Sequence, residues 1–183
     1  MVANPVPTDA ALHALAVAVA DALRAHGLTI VAAESCTGGW IAKTLTDLAG
    51  SSAWFECGVV AYSYEAKEAL LGVHPHTLER HGAVSEEAVL EMVSGALARF
   101  GAGIAVAVTG IAGPSGGTAE KPVGTVWIAW KRRGGYARAQ LFQFAGDREA
   151  VRRHTVAAAL VGVRRILTES GGEPRRSAVD AVG

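Results

Sequence analysis

Apolar positions in this chain switch repeatedly between the helical and the strand period. Leu12, Leu15, Val19 and Leu23 share one stripe behind Thr8, and Gly27 ends the run. This predicts a helix to about His26, capped by Thr8, after a loose leader over residues 1–8. Leu28 to Ala33 is an unbroken apolar run of buried-strand length. Ile41, Leu45 and Leu48 return to helical spacing over 38–48, with Thr37 as the natural cap. Gly50-Ser51-Ser52 turns the chain into a strand from Phe55 to Ala61. Ser63 caps a short helix from Tyr64 to Leu71, and Gly72 closes it. Residues 73–84 read as an irregular connection, after which Ser85 caps a helix to about Phe100 with Glu86 and Glu87 set against its dipole.

Ile104 to Val108 is again a buried strand, and the glycine- and proline-rich stretch Gly110 to Pro122 is a loop long enough to be functional. Gly124 to Trp130 and Tyr136 to Phe144 pair as a hairpin around Gly134-Gly135, and Asp147 opens a last helix to about Leu167. Strands interleaved with helices and closed by a hairpin predict an α/β fold with a mixed, partly antiparallel central sheet covered by helices. One domain spans 1–169, and the Gly, Pro, Arg and Ser mixture of 170–183 is expected to be a disordered tail.

Composition narrows the classes. Half of the 183 residues are hydrophobic, enough for one filled core. Seventeen basic residues balance seventeen acidic ones, so a nucleic-acid partner is not expected, because phosphate neutralisation drives that binding. Lys131-Arg132-Arg133 reads as a solvated hairpin tip, and Arg152, Arg153, Arg164 and Arg165 as the solvent side of the last helix. Cys36 and Cys57 are too few for a disulfide framework and lack zinc spacing. His74, His76 and His81 sit on a proline-broken connection and make a poor metal set. No leader pattern and no membrane-length apolar run is present, so a cytoplasmic protein without membrane contact is expected.

Three segments carry chemistry. Glu34-Ser35-Cys36-Thr37-Gly38-Gly39 ends a strand and runs into a helix, placing a hydroxyl and a thiol beside backbone N–H groups that could hold an oxyanion. Ser35 reads as a nucleophile or as a helix cap. Cys36 reads as a reactive thiol at a helix N-terminus or as a small residue packed under the turn. Tyr62-Ser63-Tyr64-Glu65-Ala66-Lys67 supplies Lys67, a general base if burial lowers its pKa and an ordinary surface lysine otherwise. Tyr62, at a strand end, can relay a proton or hold that lysine. Gly110-Ile111-Ala112-Gly113-Pro114 resembles an anion cradle but fits neither a Walker A loop nor a Rossmann fingerprint. Arg148 can grip a phosphate with its planar fork or pair with a neighbouring acid.

Read together, Ala33-Glu34-Ser35-Cys36-Thr37-Gly38-Gly39, Tyr62-Ser63-x-Glu65-Ala66-Lys67, His81-Gly82-Ala83-Val84-Ser85, Thr109-Gly110-Ile111-Ala112-Gly113-Pro114, Lys121-Pro122-Val123-Gly124-Thr125-Val126 and Gly146-Asp147-Arg148 resemble the CinA C-terminal domain family. The resemblance spans roughly 10–168. It implies a three-layer α/β/α sandwich and deamidation of nicotinamide mononucleotide to nicotinic acid mononucleotide and ammonia, with no metal or cofactor. It implies Ser35 as nucleophile, Lys67 as general base and Tyr62 as assisting hydroxyl. Thr37, Gly38, Gly39, Gly110, Gly113 and Arg148 are expected to bind substrate, and the protein is expected to be a homo-oligomer. Tyr64 departs from the family's usual asparagine and puts the rim of the pocket, rather than the chemistry, in question. A different class of reading is a non-catalytic module that binds a pyridine nucleotide or a protein partner.

Overall fold

In a computed structural model, which describes residues 5–168, five strands form one sheet in the order β2-β1-β3-β4-β5. These are β1 (Ile30–Glu34), β2 (Phe55–Val60), β3 (Ile104–Gly110), β4 (Thr125–Arg132) and β5 (Arg138–Gln143). β1 lies parallel to both β2 and β3, and β4 and β5 add antiparallel, so the sheet is mixed as expected. One face is covered by α1 (Asp9–His26), α2 (Trp40–Thr46) and α6 (Arg148–Thr168). The other carries α3 (Tyr64–Leu71), α4 (Pro75–His81) and α5 (Glu86–Phe100). The result is a three-layer α/β/α sandwich. The expected tail at 170–183 lies outside the described residues.

The strand period divides the interior into two cores. Ile104, Val106 and Val108 of β3 face α1 and α6, whereas Ala105 and Ala107 face α5. Because β1 and β3 are buried on both faces, they read as continuous apolar runs rather than alternating ones. Gly95 of α5 marks a close approach: a Cβ there would stand 1.6 Å from the carbonyl oxygen of Leu71 at the end of α3. Glycine therefore lets α3, the helix that carries Lys67, press directly on α5. Among the described residues, no helix is long and apolar enough to cross a membrane.

The structure differs from the sequence expectation in four places. The expected irregular connection 73–84 contains α4, because Pro75 occupies the first helical position, where its missing N–H costs nothing. Glu91 of α5 then accepts from His74 N and Thr77 Oγ1 at the start of α4. α2 begins at Trp40, with Gly39 in the left-handed region (φ 93°) before it, and Thr37 does not cap it. Lys131 and Arg133 are tied to Ser94 Oγ and the Ala102 carbonyl rather than forming a free tip. Arg152 and Arg153 are half-buried, while Arg164 and Arg165 are exposed as expected.

Candidate active site

Strand order reverses at β1 and β3. The chain leaves β1 for β2 on one side and returns through α3, α4 and α5 to β3 on the other. The carboxyl ends of parallel strands at such a reversal open a crevice in which ligands bind. Ser35 and Cys36 follow β1, Tyr62 follows β2, and Thr109, Gly110 and Ala112 end and follow β3. With Lys67, Ala83, Val84 and Arg148 they line one cavity of about 190 Å³. A larger groove of about 510 Å³ lies between β5 and α6, but no nucleophile and base meet in it.

Ser35 continues the β1–β3 ladder one residue past the strand, its N–H donating to Val108 O at 3.1 Å. Its hydroxyl lies 3.1 Å from Lys67 Nζ. Lys67 is 1% exposed, so it is not a surface lysine. Nζ also donates to the carbonyls of Ala61 at 2.8 Å and Tyr62 at 3.4 Å. Burial lowers its pKa from the ordinary lysine value. A neutral amine has two N–H donors and one lone pair. Two of the three neighbours are carbonyls, which only accept, so the lone pair is left for the one neighbour that can give a proton, the Ser35 hydroxyl.

The turn after Ser35 is organised by Glu34, which is fully buried. Its Oε2 accepts from Thr37 Oγ1 at 2.6 Å and from the N–H groups of Gly39 and Ile41, both at 3.0 Å. Oε1 accepts from Ala42 N at 2.8 Å. A carboxylate thus satisfies the orphan donors of the first turn of α2, where the helix dipole also favours negative charge. The capping reading of Ser35 and Thr37 falls, because the cap is Glu34. On the other side of the turn, Arg152 Nη2 donates to Thr37 O at 2.6 Å, and its guanidinium lies 5.0 Å from the Trp40 ring centre.

Accounting for the N–H groups from 35 to 42 leaves few for a ligand. Gly38 N donates to Ser35 O, and Gly39, Ile41 and Ala42 donate to Glu34. Trp40 N donates to Thr37 O. Among the described residues, Cys36 and Thr37 N–H donate to no other residue. Thr37, Gly38 and Gly39 do not line the cavity. Their polar groups point mostly into the turn itself.

Cys36 lines the cavity with 6% exposure, but burial pushes its thiol up to about 12. A thiol so placed stays protonated at neutral pH. The helix that was expected to acidify it starts only at Trp40. Tyr62 is 59% exposed, and its hydroxyl accepts from Arg148 Nη2 at 3.0 Å. Arg148 Nη1 donates to Gly113 O at 2.8 Å. Arg148 thereby joins the mouth of the cavity to the glycine-rich loop, while Gly113 contributes a carbonyl rather than a lining surface. Tyr64 also sits on the rim, where its hydroxyl accepts from Ala83 N at 3.3 Å. His74, His76 and His81 do not converge, and among the described residues no group of three or more His, Cys, Asp or Glu could hold a metal ion.

In the sequence Glu34 stands only as part of a motif and Arg152 reads as solvent-facing, whereas in the fold both organise the Ser35 turn. A charged residue closing an all-apolar strand was the available signal for Glu34, since carboxylates are rarely buried without partners. Nothing local marks Arg152, whose partner lies 115 residues away.

The sequence model of the CinA C-terminal domain matches residues 12–167. The chain is 55% identical over 153 residues to a protein of Escherichia coli K12 named nicotinamide-nucleotide amidohydrolase PncC, covering 84% of this chain and 93% of that protein. A protein of the same name from Pseudomonas putida is 52% identical over 155 residues, covering 85% and 96%. Among solved structures, a CinA superfamily protein of Klebsiella pneumoniae superposes with TM-score 0.82 at 45% identity, covering 85% of this chain and 97% of that one. The competence/damage-inducible protein CihA of Agrobacterium tumefaciens does so with TM-score 0.83 at 44% identity, covering 90% and 98%. With the family's domain matched over nearly all of the described residues, and the fold shared with solved members, the chain belongs to the CinA C-terminal domain family.

Proposed function

We propose that this protein is a nicotinamide-nucleotide amidohydrolase, which converts nicotinamide mononucleotide and water to nicotinic acid mononucleotide and ammonia. The observation that carries the reading is the buried Lys67 amine, fixed by two carbonyls with its remaining valence on Ser35 Oγ at 3.1 Å. Close relatives bearing the PncC name across nearly their whole length support it.

In this reading Lys67 takes the Ser35 proton as Oγ attacks the carboxamide carbon. The oxyanion is held by the N–H of Cys36, which lines the cavity and, among the described residues, donates to no other residue, while Thr37, Gly38 and Gly39 stay outside the cavity. Protonated Lys67 then gives its proton to the leaving nitrogen, and ammonia departs from an ester on Ser35. Water attacks the ester, its proton passes to Lys67, and Oγ recovers that proton as the acid leaves. Tyr62 is the assisting hydroxyl, oriented by Arg148. The cavity of about 190 Å³ is smaller than the roughly 300–1,000 Å³ of a whole small-molecule site. It takes the pyridine carboxamide, leaving the ribose phosphate at the mouth beside Gly110 and Arg148. Arg148 spends two of its donors on Gly113 and Tyr62, and a guanidinium has about five. A cytoplasmic, homo-oligomeric enzyme without a cofactor completes the proposal.

The test is ammonia release from nicotinamide mononucleotide with a chelator present, for the wild type, Ser35→Ala and Lys67→Met. Release by the wild type alone is expected. Equal release by Ser35→Ala would move the chemistry elsewhere, and nucleotide binding without release by the wild type would favour a binding module.

A further inference from the structure

The wall of the cavity formed by Ala83 and Val84 belongs to the short connection between α4 and α5, which has no ladder or helix to hold it. Side chains from elsewhere hold it instead. Thr109 Oγ1 donates to Ala83 O at 2.8 Å, and Ala83 N donates to the Tyr64 hydroxyl. Lys121 Nζ donates to His81 O at 2.9 Å and to Val84 O at 2.8 Å, bracketing the segment from both ends.

Lys121 reaches this segment from the glycine-rich loop, and its own position is fixed. The loop neck is closed by Gly124 N on Ile111 O at 2.8 Å and Ile111 N on Thr125 O at 2.9 Å. Lys121 N donates to Thr118 Oγ1, and Thr118 N to Lys121 O, at the tip of the loop. The same loop is tied to the opposite side of the mouth by Arg148 through Gly113 O. Among the described residues, Lys121 has no carboxylate partner; its charge is spent on two carbonyl dipoles. Such a cation fixes geometry instead of neutralising a charge.

Taking the amidohydrolase reading as its basis, we propose that Lys121 is a positioning residue of the site. Its ammonium clamps the Ala83–Val84 wall to the glycine-rich loop and so sets the width of the slot in which the pyridine ring meets Ser35. The ring lies between apolar surfaces, Ala83 and Val84 against Ala112. A misplacement of about 1 Å in such a slot costs about 10²-fold in rate. Lys121 touches neither Ser35 nor Lys67, so the reactivity of the nucleophile itself is independent of it.

The experiment compares wild type, Lys121→Met and Lys121→Arg in three measurements. These are kcat/KM for nicotinamide mononucleotide, the rate at which a small fluorophosphonate labels Ser35, and calorimetric binding of nicotinamide mononucleotide in a Ser35→Ala background. Methionine keeps most of the unbranched stem and removes the ammonium that makes both bonds. Expected for Lys121→Met is a fall of about 10²-fold in kcat/KM and about 10-fold weaker binding, with labelling within about 3-fold of wild type. Arginine retains the two carbonyl contacts and recovers most of the loss. Lys121→Met with kcat/KM within about 3-fold of wild type overturns the clamp, as does a fall in labelling parallel to the fall in kcat/KM. If methionine unfolds the protein, Lys121→Arg decides, and an arginine variant as impaired as a Ser35→Ala enzyme overturns it. A wild type that releases no ammonia refutes the amidohydrolase reading, a result distinct from any shown by Lys121→Met beside an active wild type.

Discussion

Replacing Glu34 by glutamine keeps shape and removes one acceptor set, and the outcome can be worked from the four contacts. Oε2 receives three donors and Oε1 one. The amide oxygen therefore settles at the Oε2 position, and its NH₂ faces Ala42 N–H, previously 2.8 Å from oxygen. Three charge-assisted bonds become neutral ones, each losing about 0.5–1 kcal/mol. The fourth is replaced by two opposed donors, leaving a buried N–H unsatisfied at about 1–3 kcal/mol. The sum is a loss of about 2.5–6 kcal/mol. For a domain of this size that lowers Tm by roughly 5–24 °C, at about 2–4 °C per kcal/mol. Urea unfolding at pH 7, followed by the fluorescence of buried Trp54 and Trp130, measures it. A loss below about 1 kcal/mol would refute the view that this carboxylate organises the Ser35 turn.

Further outcomes follow from the same geometry. Lys67 acts as a base only when neutral, so kcat/KM should rise with pH and level off above a pKa that burial holds below the ordinary 10.5; a limb at or above that value would sink the assignment. The unfolded chain keeps the Lys67 proton up to that ordinary value while the folded one releases it earlier. Stability therefore rises with pH between the two, and Lys67→Met should remove that slope in urea titrations. Cys36→Ser should keep activity within about 3-fold while costing about 1–3 kcal/mol for a buried hydroxyl, and a loss of catalysis would revive the thiol mechanism. Gly95→Ala forces Cβ onto the Leu71 carbonyl and should destabilise by about 1–3 kcal/mol even after the helix preference of alanine, with kcat lowered because α3 carries Lys67; a neutral result would show that α3 can shift freely.

Most elements were legible because their signals are local. Ser63 and Ser85 accept from the N–H groups of Ala66 and Ala88, three residues on, as their positions before apolar-periodic stretches suggest. β1 and β3 read as buried runs because both of their faces meet helices. α4 is hidden in the sequence because a proline reads as a breaker, whereas Pro75 at a first helical position favours the start. Thr37 reads as the cap of α2 because it directly precedes a helix expected from residue 38, whereas the helix starts at Trp40. Its real acceptor, Glu34, arrives from the preceding strand and serves N–H groups as far as Ala42.

The residue types for catalysis stood in the sequence, but whether they act together did not. Ser35 and Lys67 are 32 residues apart, and no periodicity relates a strand end to a helix on the far side of another strand. Their meeting is a consequence of strand order: β1 sits between β2 and β3, and the reversal there opens the crevice that both side chains enter. Burial, too, is tertiary. The packing of α3 on α5 at Gly95 encloses Lys67, and that enclosure lowers its pKa while the same interior raises that of Cys36. Sequence alone determined the elements, because hydrogen bonding within a turn and one-faced burial are short-range. The tertiary structure decided which hydroxyl meets which amine and in which direction burial moves that amine's pKa, because desolvation and long-range contact arise only when distant segments close over one another.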